Sequence, residues 1–413
     1  MFSGSKTIIY EDPFTTIPVE KLKVGSPLPF DVYVKDKSLI QPLFNKQTIF
    51  TESAKKILRE KGITEVYIKR EDSSYLTSSQ VKPSVTIPPP NSPEFKEYST
   101  LKERHYQIDK KLLIPGTELN FSLFRLNKLS IEPIIEIEKD SYALIDEKIT
   151  NIKGDILIRS SDIPLYHEYL NSLQDLSKYH KEKDNLNLKI LVIRENSKLL
   201  VRDLLDNPRS GEKIKEVKTL VNNTIECLLE NKDAIYDLLS LENYDYYTYT
   251  HSVNVSVLSV GLGIEINLKR EDVEKLGIGT MLHDIGKSAI PHEILNKQGK
   301  LSDKEYECIK KHVIEGINIL KTHKDIPEES LNAVLHHHER LSGSGYPYRL
   351  KGDAIGLFGR ISAITDSYDA LTTQRPYKPA YTPFYALSLI VKQKDYFDCE
   401  LLESFIKMLG KIG

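Results

Sequence analysis

The chain has 413 residues, enough for two or three domains of about 150 residues each. Its hydrophobic content of 40% can build real cores, which excludes a wholly disordered chain. With 57 basic and 59 acidic residues, the formal net charge of -2 argues against a general binder of nucleic acid polymers or membrane surfaces.

The three cysteines are scattered and form neither a disulfide framework nor a zinc-ribbon spacing, which favours a reducing compartment. The stretch "MFSGSKTIIYEDP" lacks the basic and long apolar regions of a signal peptide. No window approaches the roughly 18 apolar residues of a membrane span. We therefore expect a cytoplasmic protein.

Residues 1–76 are predicted to form a small α+β regulatory or sensor unit. "PFDVYVKD" alternates like a strand, "TESAKKILREKG" is typical of a helix closed by Gly62, and "TEVYIKR" returns to a strand. Residues 77–100 are rich in proline and serine and are predicted to be a linker. This half shows no catalytic spacing.

Residues 101–180 are predicted to form a second α+β unit that resembles the first. "LLIPGTELNFSLFRLNKLSIEPIIEI" and "NIKGDILIRSSDIPLYHEYL" follow the order of strand-like runs in residues 1–76, at a spacing of roughly 90 residues. Either the chain carries an internal repeat, or two unrelated small units share strand-like runs.

Residues 185–240 are predicted to be a helical connector. "KEVKTLVNNTIECLLENKDAIYDLLSL" carries apolar residues at three- and four-residue steps, the pattern of an amphipathic helix. The apolar stripe could pair two subunits in a homodimer, and a simple bundle helix would explain it equally.

The last segment, residues 241–413, holds eight of the eleven histidines. Imidazole or carboxylate side chains recur there beside apolar helical runs, at His251, His283, Asp284, His312, His336, His337, His338, Asp366 and Asp369. A single histidine on an apolar helix is more often a satisfied core residue than a ligand. Burying this many polar groups without partners would cost about 1–3 kcal/mol each.

A shared metal cluster in the core of a helical bundle would satisfy these groups together. Imidazole and carboxylate without thiolate suit iron or manganese better than structural zinc. We therefore expect divalent metal ions, iron or manganese. The adjacent pairs His283–Asp284 and His337–His338 can reach two ions or opposite sides of one.

"HDIGK", followed by His312 and then by "HHERLSGSGYP", resembles the HD-GYP family of cyclic di-GMP phosphodiesterases, across roughly Tyr244 to Ile406. The fold class that we expect is multidomain, with N-terminal α+β units, a helical linker and a C-terminal all-α HD-type bundle around a metal centre. The resemblance implies metal ligands at His251, His283, Asp284, His312, His337, His338 and Asp366. It also implies that Asp284 bridges the two ions.

The same resemblance implies substrate contacts. Lys287 would reach a phosphate of the substrate, and "TTQRPYKPAY" would add Arg375 and Lys378, which otherwise make an ordinary solvated basic pair. Tyr346, Tyr348 and Tyr377 are candidates for stacking on guanine, or else core or surface residues. His336 is interpreted as a spacer or surface residue.

Two positions depart from the family pattern. Tyr247 stands where some members carry a glutamate for a third metal, which predicts a dinuclear centre. Ser342 stands where the family has aspartate before "GSGYP", which predicts a looser loop.

The expected reaction opens cyclic di-GMP to pGpG, with further cleavage to GMP left open, under regulation by the N-terminal half. Two cations about 3.5–4 Å apart lower the pKa of a bridging water. The hydroxide would attack phosphorus while Lys287 and Arg375 offset the growing charge, so Asp284 and Lys287 are the predicted catalytic residues. The alternatives are an HD-type phosphohydrolase of another nucleotide and a catalytically silent adaptor that binds cyclic di-GMP.

Overall fold

The computed structural model of the chain describes residues 14–25, 28–36, 39–45, 48, 50–69, 104–127, 130–138, 140–150, 152, 154–176, 182–239, 247–295, 297, 300–373 and 380–410. The described residues of Met1–Thr86 and Ala370–Lys392 form one compact unit, and those of Ile87–Asp369 and Gln393–Gly413 form a second. The predicted linker, residues 77–100, lies outside the described residues. Within the described ranges, no helix has both the length and the apolar character to cross a membrane.

Between residues 14 and 69, the first unit contains a four-stranded antiparallel sheet and an α-helix. Its elements are β1 (Phe14–Pro18), β2 (Val32–Asp36), β3 (Leu39–Phe44), α1 (Glu52–Glu60) and β4 (Glu65–Lys69), and the strand order is β1-β4-β2-β3. The Thr51 hydroxyl caps α1 by accepting the Ala54 N–H at 3.1 Å. Fully buried Val66 and Ile68 alternate along β4, as a strand covered on one face requires.

A second sheet has the same strand order. Its elements are β5 (His105–Ile108), β6 (Glu118–Leu119), β7 (Leu123–Asn127), β8 (Ser130–Ile135), β9 (Ala143–Leu144), α2 (Glu147–Thr150) and β10 (Asp155–Arg159). Its main sheet is ordered β5-β10-β7-β8, and β6 pairs with β9 separately.

The two sheets also agree in local irregularities. The register shifts at Val32/Tyr33 in β2 and at Leu123/Phe124 in β7, and a proline of the next strand faces each site, Pro42 opposite Tyr33 and Pro133 opposite Phe124. Random similarity between small units would not produce the same order and the same irregularity at a spacing of about 90 residues. We therefore propose that the two units are an internal duplication.

Helices α3 (Ile163–Leu176), α4 (Glu182–Asp206), α5 (Gly211–Glu230) and α6 (Ala234–Leu239) follow the second sheet. The apolar stripe of α5 is buried, including Ile214, Val217 and Val221, and α5 packs on α4 and on a later helix of the bundle. Packing within the chain thus accounts for the stripe, and the homodimer stays a prediction.

The C-terminal part is a helical bundle. It comprises α7 (Tyr247–Glu265), α8 (Arg270–Met281), a 3-10 turn (Ile285–Ala289), α9 (His292–Leu295), α10 (Asp303–Lys310), α11 (His312–Leu320), α12 (Ser330–His336), α13 (Leu357–Thr372) and α15 (Cys399–Gly410). Helix α14 (Pro383–Lys392) belongs to the first unit instead, where Tyr385 packs against the core of the first sheet. Residues 250–260 of α7 are all buried, so α7 is the central helix of the bundle.

Gly286 fixes the position of the 3-10 turn. A Cβ added there would lie 1.9 Å from the His312 carbonyl oxygen and 2.4 Å from the Gly316 nitrogen, so the turn rests directly on the backbone of α11. Any side chain would separate the two segments. This contact brings Asp284, which precedes the turn, next to His312.

We expect Gly286→Ala to lower the free energy of unfolding by about 1–3 kcal/mol, because the methyl group meets backbone atoms that cannot move aside. Chemical denaturation of the purified protein measures the change. Gly410→Ala is the matched control, since a Cβ there has no heavy atom within 4 Å. Equal stability of the two variants would contradict the close packing of the turn on α11.

Candidate metal centre

The structure brings all seven predicted ligand side chains together. They come from α7, the segment after α8, the first residue of α11, the segment after α12, and α13. Three overlapping groups each place one nitrogen or oxygen per residue within 4.8 Å of the others: His312, His337 and His338; His251, His283 and Asp366; and His283, Asp284 and His337. These groups could hold divalent metal ions, and the role of each residue as a ligand stays a prediction.

Asp284 lies between the other ligands. Its Oδ2 is 3.3 Å from His283 Nε2 and 3.6 Å from His251 Nε2, whereas its Oδ1 is 3.4 Å from His312 Nε2. The two carboxylate oxygens thus face different histidines. This is the geometry that a bridging carboxylate needs.

The remaining ligands complete the ring around Asp284. The Nε2 atoms of His312 and His337 are 3.2 Å apart, and His338 Nδ1 is 3.8 Å from Asp366 Oδ2. Asp366 Oδ1 is 3.1 Å from His251 Nε2 on the other side. Asp366 is therefore the second carboxylate that contacts two histidines.

Two buried atoms test whether the site suits a cation. His283 Nε2 and Asp284 Oδ1 are buried and have no hydrogen-bond partner among the described residues. Both residues are at most 2% exposed. Leaving such groups unpaired costs free energy, and a divalent cation between them would satisfy a lone pair on each. The donor set therefore fits a metal centre.

Burial and charge set the protonation states. Burial raises the pKa of Asp284, but Lys287 and His283 outweigh it and hold the pKa well below its usual value. Burial lowers the pKa of His337 and His338 well below the usual value, so both are neutral at physiological pH. Ionised carboxylates and neutral imidazoles are the forms that bind metal ions.

The pKa of His251 is shifted in the opposite direction to those of His337 and His338. Burial lowers its pKa, but hydrogen bonds to Asp366 and Asp369 outweigh burial and raise the pKa to about 9.

Lys287 reaches the centre from the 3-10 turn rather than from a continuing helix. Its ammonium nitrogen is 2.5 Å from Asp284 Oδ2, and its side chain is 22% exposed. Lys287 follows His283 by four residues, which in a continuous helix would be about one turn. In the structure α8 ends at Met281, and the turn hydrogen bond from the Lys287 N–H to the Asp284 carbonyl directs the lysine back to the carboxylate.

Glu339 organises the "GSGYP" loop. This side chain is 1% exposed, and it accepts the N–H groups of Tyr348 and Leu350 at 2.7 and 3.0 Å. The Tyr346 ring, held by the same loop, stacks on His338 with ring centroids 4.6 Å apart. Tyr346 therefore lies at the metal centre, whereas Tyr348 is 58% exposed.

Ser342 does not leave this loop without support. Its hydroxyl oxygen accepts the Ser344 N–H at 3.4 Å, and its backbone forms an antiparallel bridge with Lys351. The serine thus makes the local side-chain contact that aspartate makes in such turns. The looser loop stays a prediction.

Some predicted residues fall outside the site or outside the described part of the chain. Arg375, Tyr377 and Lys378 are outside the described residues, and so is the side chain of Tyr247. His336 is half-buried, and its Nδ1 has no hydrogen-bond partner among the described residues.

Behind His251 lie Asp369, which the sequence analysis named without a role, and Asn254, which it missed. Asp369 accepts the His251 Nδ1–H at 2.6 Å, and Asn254 donates to the other oxygen of Asp369 at 2.7 Å. The spacing in the sequence indicates that each pair lies on one helix face, since Asn254 follows His251 by three residues and Asp369 follows Asp366 by three.

The sequence analysis also missed Arg340, whose guanidinium donates to the carbonyls of His337 and Glu339 and lies 5.2 Å from the centroid of the Phe397 ring.

The C-terminal region of the chain is similar in sequence to known proteins. Residues 233–401 match the HD domain family. The chain is 34% identical over 216 residues to cyclic di-GMP phosphodiesterase PA4108 of Pseudomonas aeruginosa, covering 52% of each protein. It is 37% identical over 142 residues to 3'3'-cGAMP-specific phosphodiesterase 2 of Vibrio cholerae, covering 34% of this chain and 27% of that protein. The chain thus spans about half the length of the first relative and about a quarter of the second.

A solved structure of Bd1817, an HDG"Y"P protein from Bdellovibrio bacteriovorus, superposes with a TM-score of 0.57 at 18% identity. The match covers 74% of this chain and 99% of that chain, and it shows a shared fold. The C-terminal region of this chain thus contains an HD domain, carries the "HDIGK" and "GSGYP" motifs and is similar to these relatives.

Proposed function

We propose that this chain is a metal-dependent phosphodiesterase that hydrolyses cyclic di-GMP to pGpG and is regulated by its N-terminal half. The observation that carries the proposal is the convergence of seven imidazole and carboxylate side chains, six of them buried and His338 half-buried. Cyclic di-GMP is the substrate named for the Pseudomonas relative. The same fold with a different purine pocket would act on 3'3'-cGAMP, the substrate named for the Vibrio relative.

Each residue of the site has a distinct part in this reaction. Asp284 and Asp366 would bridge or hold two divalent ions, which, when bound, supply Lewis acidity and make water a nucleophile near neutral pH. Lys287 is the cation closest to the bridging carboxylate, at 2.5 Å from its Oδ2. There its ammonium group would hold a phosphate oxygen and stabilise the negative charge that develops on it.

Tyr346 would position the substrate. Its ring stacks on His338, and the Lys310 ammonium lies 5.6 Å from its centroid. An aromatic ring beside the metal ligands would provide a stacking surface for a guanine base.

We expect Lys287→Ala to lower kcat on cyclic di-GMP by about 100- to 1000-fold, as removal of one charge-stabilising donor does. Metal content should stay at the wild-type level, because a lysine ammonium group has no lone pair to offer a metal ion. Lys275→Ala is the control, since Lys275 pairs with Glu329 outside the centre. Product analysis by chromatography and metal analysis of the same samples measure both quantities.

Parallel incubations of metal-loaded wild type with cyclic di-GMP, 3'3'-cGAMP and nucleoside polyphosphates compare the candidate substrates. Turnover of nucleoside polyphosphates alone would favour another HD-type phosphohydrolase. Tight binding of cyclic di-GMP without turnover, under anaerobic iron or manganese, would favour an adaptor. Loss of bound metal in Lys287→Ala would contradict the proposal that Lys287 binds the substrate phosphate.

A dinuclear centre predicts a specific stoichiometry. His312, His337 and His338 form one group of donors, and His251, His283 and Asp366 form another that shares no residue with it. We expect about two ions per wild-type chain and about one in either His312→Ala or His251→Ala. Elemental analysis after dialysis measures this, and one or three ions per wild-type chain would contradict a dinuclear centre.

Arg194 supports regulation by the N-terminal half. It lies on α4 with a side chain 5% exposed, pairs with Asp109 next to the second sheet, and donates to the Asp237 carbonyl in α6 at 3.1 Å. Helix α4 also packs on α7 and on the 3-10 turn that carries Lys287. One buried guanidinium therefore joins the second α+β unit to the HD domain.

We expect Asp109→Asn to destabilise the protein by on the order of 3 kcal/mol, because it leaves the Arg194 charge buried without its anionic partner. If α4 transmits regulation, kcat should also change by about fivefold or more at unchanged metal content. The control is Glu403→Gln, which removes an exposed pair with Lys407 and should change neither quantity measurably. An unchanged kcat in folded Asp109→Asn would contradict coupling through Arg194.

A further inference from the structure

The four buried histidines of the centre do not share the same support. The Nδ1–H groups of His283, His312 and His337 each donate to the backbone carbonyl three residues earlier, at 2.7–2.8 Å. A carbonyl oxygen can only accept a hydrogen bond, so the proton of each ring lies on Nδ1. Nε2 then offers its lone pair to the centre.

His251 lies within α7, and an acceptor for its Nδ1 comes from α13: Asp369 Oδ2 lies 2.6 Å from that nitrogen. Both residues are 2% exposed.

Asn254 fixes the direction of this hydrogen bond. Its side-chain amide donates to Asp369 Oδ1 at 2.7 Å, so that Oδ2 faces His251. Asn254 Oδ1 is buried and has no hydrogen-bond partner among the described residues, so the amide acts here purely as a donor. The Asp369 carboxylate therefore accepts one hydrogen bond from the Asn254 amide and one from the His251 imidazole.

Resting on the proposed function, we propose that Asp369, oriented by Asn254, is a positioning residue that keeps the His251 proton on Nδ1 and aims Nε2 at the metal centre. A carboxylate behind a ligand histidine fixes its tautomer and ring orientation and raises its basicity as a ligand. Asp369 itself contacts neither substrate nor metal in this role.

Asp369→Asn is the first test. The Asn254 amide requires an acceptor, so the new carbonyl oxygen faces Asn254 and the new amide faces His251. His251 Nδ1 must then accept, and the proton moves to Nε2, the wrong tautomer for a ligand. We expect the affinity for Mn²⁺, measured alone by competition with a chromogenic chelator, to fall about 10- to 100-fold.

The double variant Asn254→Asp with Asp369→Asn separates orientation from loss of charge. Its new carboxylate at position 254 accepts a hydrogen bond from the new side-chain amide at position 369, and the carbonyl oxygen of that amide again accepts the His251 Nδ1–H. Mn²⁺ affinity should return toward the wild-type value, and the nitrogen chemical shifts of His251 in protein labelled at histidine should return to the Nδ1–H pattern.

Ser259→Ala is the matched control. It removes a buried 2.8 Å hydrogen bond to Thr365 between the same two helices, without contact to a ligand histidine, and should leave Mn²⁺ affinity unchanged. Wild-type affinity in Asp369→Asn, or failure of the double variant to recover with a wild-type unfolding temperature, would overturn the positioning role. Absence of Mn²⁺ binding by wild type would instead overturn the proposed function.

Discussion

The burial of the Asp284 carboxylate is the constraint on which the C-terminal domain depends. An ionised carboxylate in an apolar core costs several kcal/mol unless charged or hydrogen-bonding groups surround it. Here histidines lie within 3.6 Å of both oxygens, and Lys287 lies 2.5 Å from one of them. The helices of the bundle must therefore present their polar residues at one point, which fixes how they pack.

The backbone makes this convergence possible. Helix α8 ends two residues before His283, so the chain turns sharply and exposes consecutive side chains to different neighbours. The absence of a side chain at Gly286 lets the next turn touch α11 directly. On the opposite side, Glu339 holds the loop that keeps Tyr346 against His338. Each feature lies beside a ligand in sequence, which explains why these residues occur as compact motifs.

The sequence predicted much of this site because its motifs are local. "HDIGK" and the triple histidine carry their chemistry in adjacent residues, and the helical steps around His251 and Asp366 were legible as buried faces. The supporting residues were harder to predict. The contact between Asp369 and His251 joins positions 118 residues apart, and nothing in either stretch specifies the crossing of α7 and α13 that makes it.

The contrast between local motifs and backbone geometry also explains where the structure places Lys287. Its proximity to the centre follows from sequence distance, but its direct contact with Asp284 depends on the chain leaving helical geometry after Met281. Ser342 departs from the family pattern, and its hydroxyl oxygen accepts the Ser344 N–H within the same loop. Patterns of residue type predict which groups meet, whereas backbone geometry decides how they touch.

The two α+β units, which we propose to be copies of one fold, differ at one turn. Each has a 3-10 turn after its first strand, Val19–Lys21 in one and Lys110–Leu112 in the other. Asp109 precedes the second turn, caps it by accepting the Lys111 N–H at 3.0 Å, and pairs with the buried Arg194. Pro18 occupies the corresponding place in the first unit and has no carboxylate to offer. The carboxylate at the second turn thus supplies the contact with Arg194 on α4, the helix that packs against the 3-10 turn carrying Lys287.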